Sequence, residues 1–227
     1  MPHFHIISDE SGSVVRIERD GKNIRGPLQL EQAFSVSSFY FKAAAVNLDN
    51  LVRPENLELR EQYGVQAFLL SLTGVEAFLN TCYLLRAQES GNQELVSAVN
   101  SKSGKLQDRL KEFVRLSGDA PLQDLQQITD RLSKLSIFRH SLVHPRWVPS
   151  SLDMSGGLSM SFGGLVENAR LPVKDHLFCV EAFWWCIYAV ALVGVSRGSV
   201  PLDGFLFHWT GLFNIDMKSV RAKLAIE

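Results

Sequence analysis

The densest reactive chemistry in the chain lies in Ile137-Phe138-Arg139-His140-Ser141-Leu142-Val143-His144-Pro145-Arg146-Trp147. Arg139 offers a planar fork for phosphate oxygens, and His144 is a proton carrier suited to neutral pH. Five residues apart on a helix, the two stand roughly 7.5 Å apart along the axis, a gap that a long arginine bridges. Pro145 disfavours helical geometry at His144, so the helix ends at or just before that histidine. At that end the helix dipole favours an imidazolium. Such a pair suits metal-free phosphodiester cleavage. One group exchanges protons with a 2′-hydroxyl or a leaving 5′-oxygen, and a cation stabilises the phosphorane-like charge.

Spacing alone identifies little, because a chain with fourteen arginines and six histidines carries R-x4-H by chance about once in three. A second, looser pair, Arg170 and His176, is interrupted by Pro172. Support comes from an earlier helix. Its apolar stripe is Phe68, Leu72, Val75, Leu79 and Tyr83; Glu76 falls inside the stripe and Asn80 on its margin. A carboxylate entering a core needs a cation or strong donor, since burying it alone costs several kcal/mol. Glu76 is therefore expected beside Arg139 or His144. A metal site on His140 and His144, spaced i, i+4, is the weakest alternative, because Pro145 distorts the second ligand's turn and Glu76 would have to be a third ligand. No metal and no cofactor are expected.

The elements that must position these groups read mainly as helix. Residues 27–52 carry apolar positions at helical spacing until Pro54, and a second helix runs from about Leu57 to Gln88, ended by Glu89-Ser90-Gly91-Asn92. Lys105–Ser117 is a basic amphipathic helix closed by Gly118, and Leu122, Leu125, Ile128, Leu132 and Leu135 mark a fourth that leads into the reactive stretch. A long apolar helix spans about Val173 to Arg197. Before the first helix, residues 3–25 alternate weakly around turn signals, as a small β-hairpin or meander does. Residues 148–172 are rich in Ser, Gly and Pro, and are expected to form a hairpin or flap. The expected organisation is a β-like extension (1–26), a helical domain (27–200, with the 148–172 insertion), and an aromatic segment with a short helix (201–227).

Charge and cysteine usage bound the function. Net charge is −1, but residues 101–147 hold nine Lys/Arg and five acids, a local +4 that can attract a phosphate backbone. Cys82, Cys179 and Cys186 sit in apolar helical patterns without C-x-x-C spacing, which points to a reducing compartment and no disulfide frame. No secretory signal is visible at the N-terminus, so a cytoplasmic location is expected. Leu177–Val195 has one charge, Glu181, in nineteen residues. That is long enough to cross a bilayer, but without flanking Lys/Arg it fits the centre of a bundle or a subunit interface better.

Taken together, the chain resembles the HEPN superfamily, all-helical nucleotide-binding domains that include many bacterial RNases of toxin and phage-defence systems. The likeness rests on Phe138-Arg139-His140-Ser141-Leu142-Val143-His144, on Val75-Glu76-Ala77-Phe78-Leu79-Asn80 in the earlier helix, and on the order of elements over about residues 30–200. The position after the arginine, commonly asparagine in the family, is His140. The resemblance implies a mainly α, HEPN-like bundle. It further implies a homodimer whose two motifs face each other across a cleft, and RNA cut without metal. In that reading His144 is the general acid/base and Arg139 the phosphate-binding group. Glu76 or Asn80 orients them, and His140, Ser141, Lys134 and Arg146 make accessory RNA contacts. An antitoxin or defence partner is expected if uncontrolled cleavage is toxic. The rival class is a non-catalytic helical module for dimerisation or for binding nucleic acid or protein.

Overall fold

The structure is a computed structural model that describes residues 4–8, 14–19, 21–23, 36–92, 94, 97, 105–117, 124–144, 172–197 and 202–225. The chain divides into two compact units, Met1–Ala33 and Phe34–Glu227. In the first, β1 (Phe4–Ser8), β2 (Val14–Arg19) and β3 (Lys22–Asn23) form an antiparallel meander in that order. Ile6 pairs with Ile17, and the ladder shifts by one residue between Ile7 and Ser8. Gly21, at φ 74°, supplies the left-handed backbone that the tight β2–β3 turn requires.

The second unit is a helical bundle, so the fold is mainly α. Among the described residues it has seven α-helices. The first is α1 (Val36–Val52); the expected start at residues 27–35 lies outside the described residues. A 3-10 turn, Pro54–Leu59, then occupies what the sequence reads as the start of the second helix. Asn56 breaks α geometry there (φ −105°, ψ 18°), and its side chain donates back to the Asn50 carbonyl at 3.1 Å. Next comes α2 (Arg60–Ser90), which stops at Gly91, whose φ of 68° lets its N–H reach the Ala87 carbonyl at 2.9 Å.

The remaining helices are α3 (Leu106–Ser117), α4 (Leu125–Val143), α5 (His176–Arg197), α6 (Leu202–Thr210) and α7 (Met217–Lys223). The expected flap at 148–172 lies outside the described residues apart from Pro172, which opens a helical turn ahead of α5. At the other end, Asp216 and Ser219 close a capping box on α7, the Ser219 N–H donating to Asp216 at 2.7 Å.

The apolar run in α5 is the centre of this unit. Trp185, Cys186, Ile187, Tyr188, Ala189 and Val190 are all buried. His176–Val195 is long and apolar enough to cross a membrane, as is Pro54–Ala87, and 72% of its most apolar window is already covered by neighbouring helices. Burying such faces against one another supplies the main drive for helix association.

Two contacts fix the helices that matter for the reactive stretch. Phe68 of α2, Phe138 of α4 and Phe178 of α5 form an aromatic cluster with ring centroids 5.1, 5.3 and 5.7 Å apart. Each such pair adds about 0.5–1.5 kcal/mol beyond its buried area. Gly64 allows the closest approach: a Cβ there would lie 1.7 Å from the Val173 carbonyl oxygen, so α2 and the lead into α5 touch backbone to backbone. The Cys179 thiol donates to that same carbonyl at 3.5 Å.

Candidate functional site

Three helices meet at one cleft. On α2, Val75 and Leu79 are fully buried, which turns Glu76 to the rim of the core. Its side chain is 32% exposed, so the carboxylate stands at a cleft wall and not within the core that its place in the apolar stripe implied. On α4, Phe138 anchors in the aromatic cluster, and Arg139, one residue on, reaches sideways. Its Nη1 donates to Glu76 Oε1. The arginine is also 32% exposed, so this pair is partly solvated, with a net worth on the order of 1 kcal/mol. Its consequence is positional: one guanidinium edge is held against α2, which leaves four of its five donors for other contacts among the described residues.

The C-terminus of α4 supplies the histidines. His144 leaves helical geometry at φ −125° and ψ 71°, immediately before Pro145, while its N–H still donates to the His140 carbonyl at 2.9 Å. The two imidazoles stand one turn apart with ring centroids 5.1 Å from each other. Both are exposed. They share a cleft of about 480 Å³ with Glu76 and Arg139. Opposite, the start of α3 contributes Lys105 and Gln107, and Ser133 and Ser136 of α4 also face in. Leu106, Ile137 and Val143 give the cleft its apolar surface. It therefore combines one carboxylate, two fixed cations and two titratable rings, a set able to hold an anion and move protons around it.

No family model, no curated protein and no solved structure matches this chain. What the site can do is read from its geometry.

Other residues singled out by sequence go elsewhere. Asn80 accepts a hydrogen bond from Arg109 of α3 and does not line the cleft, so it orients neither Arg139 nor His144. The reason is register. Asn80 lies one turn beyond Glu76 on α2, opposite α3, and Tyr83 one turn further bonds the Arg109 carbonyl at 2.5 Å. Ser141 donates to the Phe138 carbonyl at 2.7 Å and is outside the cleft lining. Lys134 is exposed on α4, also outside it. Arg146 lies outside the described residues.

Among the described residues no three His, Cys, Asp or Glu side chains converge as a metal site. Cys179 and Cys186 offer no nucleophile, since burial pushes Cys179 up to about 12, helped by Asp175, and raises Cys186 as well, helped by Glu76.

Lys105 and Gln107 were not picked out by sequence as site residues. A signal for Gln107 existed: it lies at i, i+3, i+7 spacing with Leu110 and Val114 on the buried face of α3. That is the same contradiction of polarity that exposed Glu76.

Proposed function

We propose that the cleft is the active site of a HEPN-like, metal-independent endoribonuclease. One observation carries the reading: the Glu76-bound Arg139 and the paired imidazoles of His140 and His144 line a single cleft. The chemistry needs no further group. One neutral imidazole removes the 2′-hydroxyl proton as that oxygen attacks phosphorus. The bond from phosphorus to the 5′-oxygen breaks, and the departing oxygen takes a proton from the second ring, carried as imidazolium. The products are a 2′,3′-cyclic phosphate and a 5′-hydroxyl. His144 is the principal acid/base and His140, 5.1 Å away, takes the complementary proton. Arg139 binds the phosphate and stabilises its developing charge, and Glu76 sets the arginine's direction.

A second copy of the chain completes this reading. Val143 is 48% exposed at the cleft rim, and an exposed apolar side chain there suits a face that pairs with another copy. The rival class, a non-catalytic helical module, draws on the ion pair itself, because two side chains that bond each other at a helix interface also serve as a structural staple. Incubating the purified protein with RNA in EDTA, beside the His144→Ala variant, separates the two. Cyclic-phosphate ends from the wild type alone support the nuclease. Intact RNA in both samples favours the module.

A further inference from the structure

The α3 wall of the cleft carries polar groups that cleavage does not use. Lys105 is exposed at the start of α3, fixed by backbone bonds from the Asp108 and Arg109 N–H groups to its carbonyl, each 3.0 Å. Gln107 is only 7% exposed. Its Nε2 donates to Ser133 Oγ at 3.4 Å, which fixes the orientation of the amide, while its Oε1 meets no donor among the described residues. Both residues line the cleft that holds Arg139 and the two histidines. A buried acceptor without a donor is costly unless something supplies one.

The cleft is also larger than a scissile phosphate alone requires. Its 480 Å³ falls within the range of small-molecule sites, roughly 300–1,000 Å³. Leu106 and Ile137 beside Gln107 give it apolar walls suited to the flat face of a base. Lysine is a point charge with three donors, fit for a phosphate that need not be held in a rigid fork.

We infer that Lys105 and Gln107 form a second subsite that binds the nucleotide adjoining the scissile phosphate, Lys105 holding its phosphate and Gln107 accepting an N–H from its base. This assignment rests on the ribonuclease reading, and Lys105 and Gln107 act in it as binding residues, not catalytic ones. It makes α3 the helix that selects the sequence to be cut, while α4 carries the reaction.

Oligonucleotides lacking the 2′-hydroxyl are not cleaved by this chemistry, so binding is measurable on the wild-type protein by fluorescence anisotropy. Labelled hexamers of deoxyadenosine, deoxycytidine and an abasic sugar are the probes. Lys105→Ala is expected to weaken all three about tenfold and to lower the slope of log affinity against log salt by about 0.7, the share of one phosphate contact on a single strand; Lys105→Arg restores both. Gln107→Met, equal in length but without the acceptor, is expected to weaken the two base-bearing hexamers about fivefold and leave the abasic one unchanged. An unchanged salt slope in Lys105→Ala, or equal losses on base-bearing and abasic hexamers in Gln107→Met, overturns the subsite. If Arg139→Ala then still abolishes binding, the ribonuclease reading survives. Absence of wild-type binding to every hexamer at about 50 mM salt overturns both.

Discussion

The Arg139 guanidinium donates to the Glu76 carboxylate across the α2–α4 interface, at the wall of a cleft that also holds His140 and His144. Because both side chains are a third exposed, the pair contributes little to stability and much to direction. A double-mutant cycle with Glu76→Ala and Arg139→Ala, followed by urea unfolding, is expected to give a coupling of about 1 kcal/mol. On the proposed chemistry, Glu76→Gln should lower kcat about tenfold while leaving the unfolding midpoint within a few degrees. A coupling near zero would mean that the two side chains do not hold each other in solution.

His144 caps α4 through its backbone, not through its ring: the N–H bonds the His140 carbonyl, and the imidazole is exposed. Removing the ring therefore leaves the fold intact. His144→Ala is expected to lower RNA cleavage in EDTA at least a hundredfold, the usual worth of a positioned acid or base, with an unaltered thermal midpoint. His140→Ala should lose less. Cleavage by His144→Ala at the wild-type rate would remove this histidine from the mechanism.

Glu76 was legible in the sequence because a carboxylate among Phe68, Leu72, Val75 and Leu79 contradicts its surroundings, and the contradiction demands a cation. The same rule misplaced Asn80. An amide at the stripe's edge takes whichever helix arrives there, and periodicity does not say that α3 brings Arg109 to it. Leu177–Val195 was legible as a central helix because it is apolar all round. The aromatic stretch Phe205–Trp209 was not assigned to a helix, yet it forms most of α6, with Phe205, Leu206 and Trp209 buried. A nine-residue helix takes its stability from tertiary packing, which leaves a weak periodic signal. Gln107 carried a local signal as a polar residue on the buried face of α3, but Lys105 joins the cleft only through the placement of α3 on α4, a relation that no local pattern encodes.

Glycine substitutions in the helices should go opposite ways. Replacing a mid-helix glycine by alanine gains about 1 kcal/mol from propensity alone. At Gly204 in α6 an added Cβ meets nothing within 4 Å, so Gly204→Ala is expected to stabilise by about 0.5–1 kcal/mol. At Gly64 the same atom would lie 1.7 Å from the Val173 carbonyl oxygen, a backbone atom with no rotamer to move. Separating α2 from the lead into α5 costs more than propensity returns. Gly64→Ala should be destabilised by about 2 kcal/mol or more, read as a lowered urea midpoint. A Gly64→Ala protein as stable as the wild type would mean that the two backbones do not meet as described.

Alkaline stability should depend on a cluster at the far end of α4. Tyr188 of α5 donates its phenol O–H to Asp124, and Arg221 of α7 donates to the same carboxylate oxygen at 2.6 Å. Burial above all, and then the bond to Asp124, push the Tyr188 phenol from 10.0 up to about 12, with Arg221 opposing the rise. A phenol that ionises less readily in the folded protein than in the unfolded chain contributes stability that is fully present below pH 10.0 and lost as pH climbs through about 12. Two units correspond to on the order of 2–3 kcal/mol. In Tyr188→Phe, Asp124 keeps Arg221 as its donor, so the variant should lose only about 1 kcal/mol at neutral pH. Urea unfolding of both proteins at successive pH values tests this. The wild-type advantage should shrink between pH 10.0 and 12 and then vanish or reverse. A gap that stays constant across that window would show that Tyr188 titrates alike in the folded and unfolded chain, and that the phenol is not buried in solution as described.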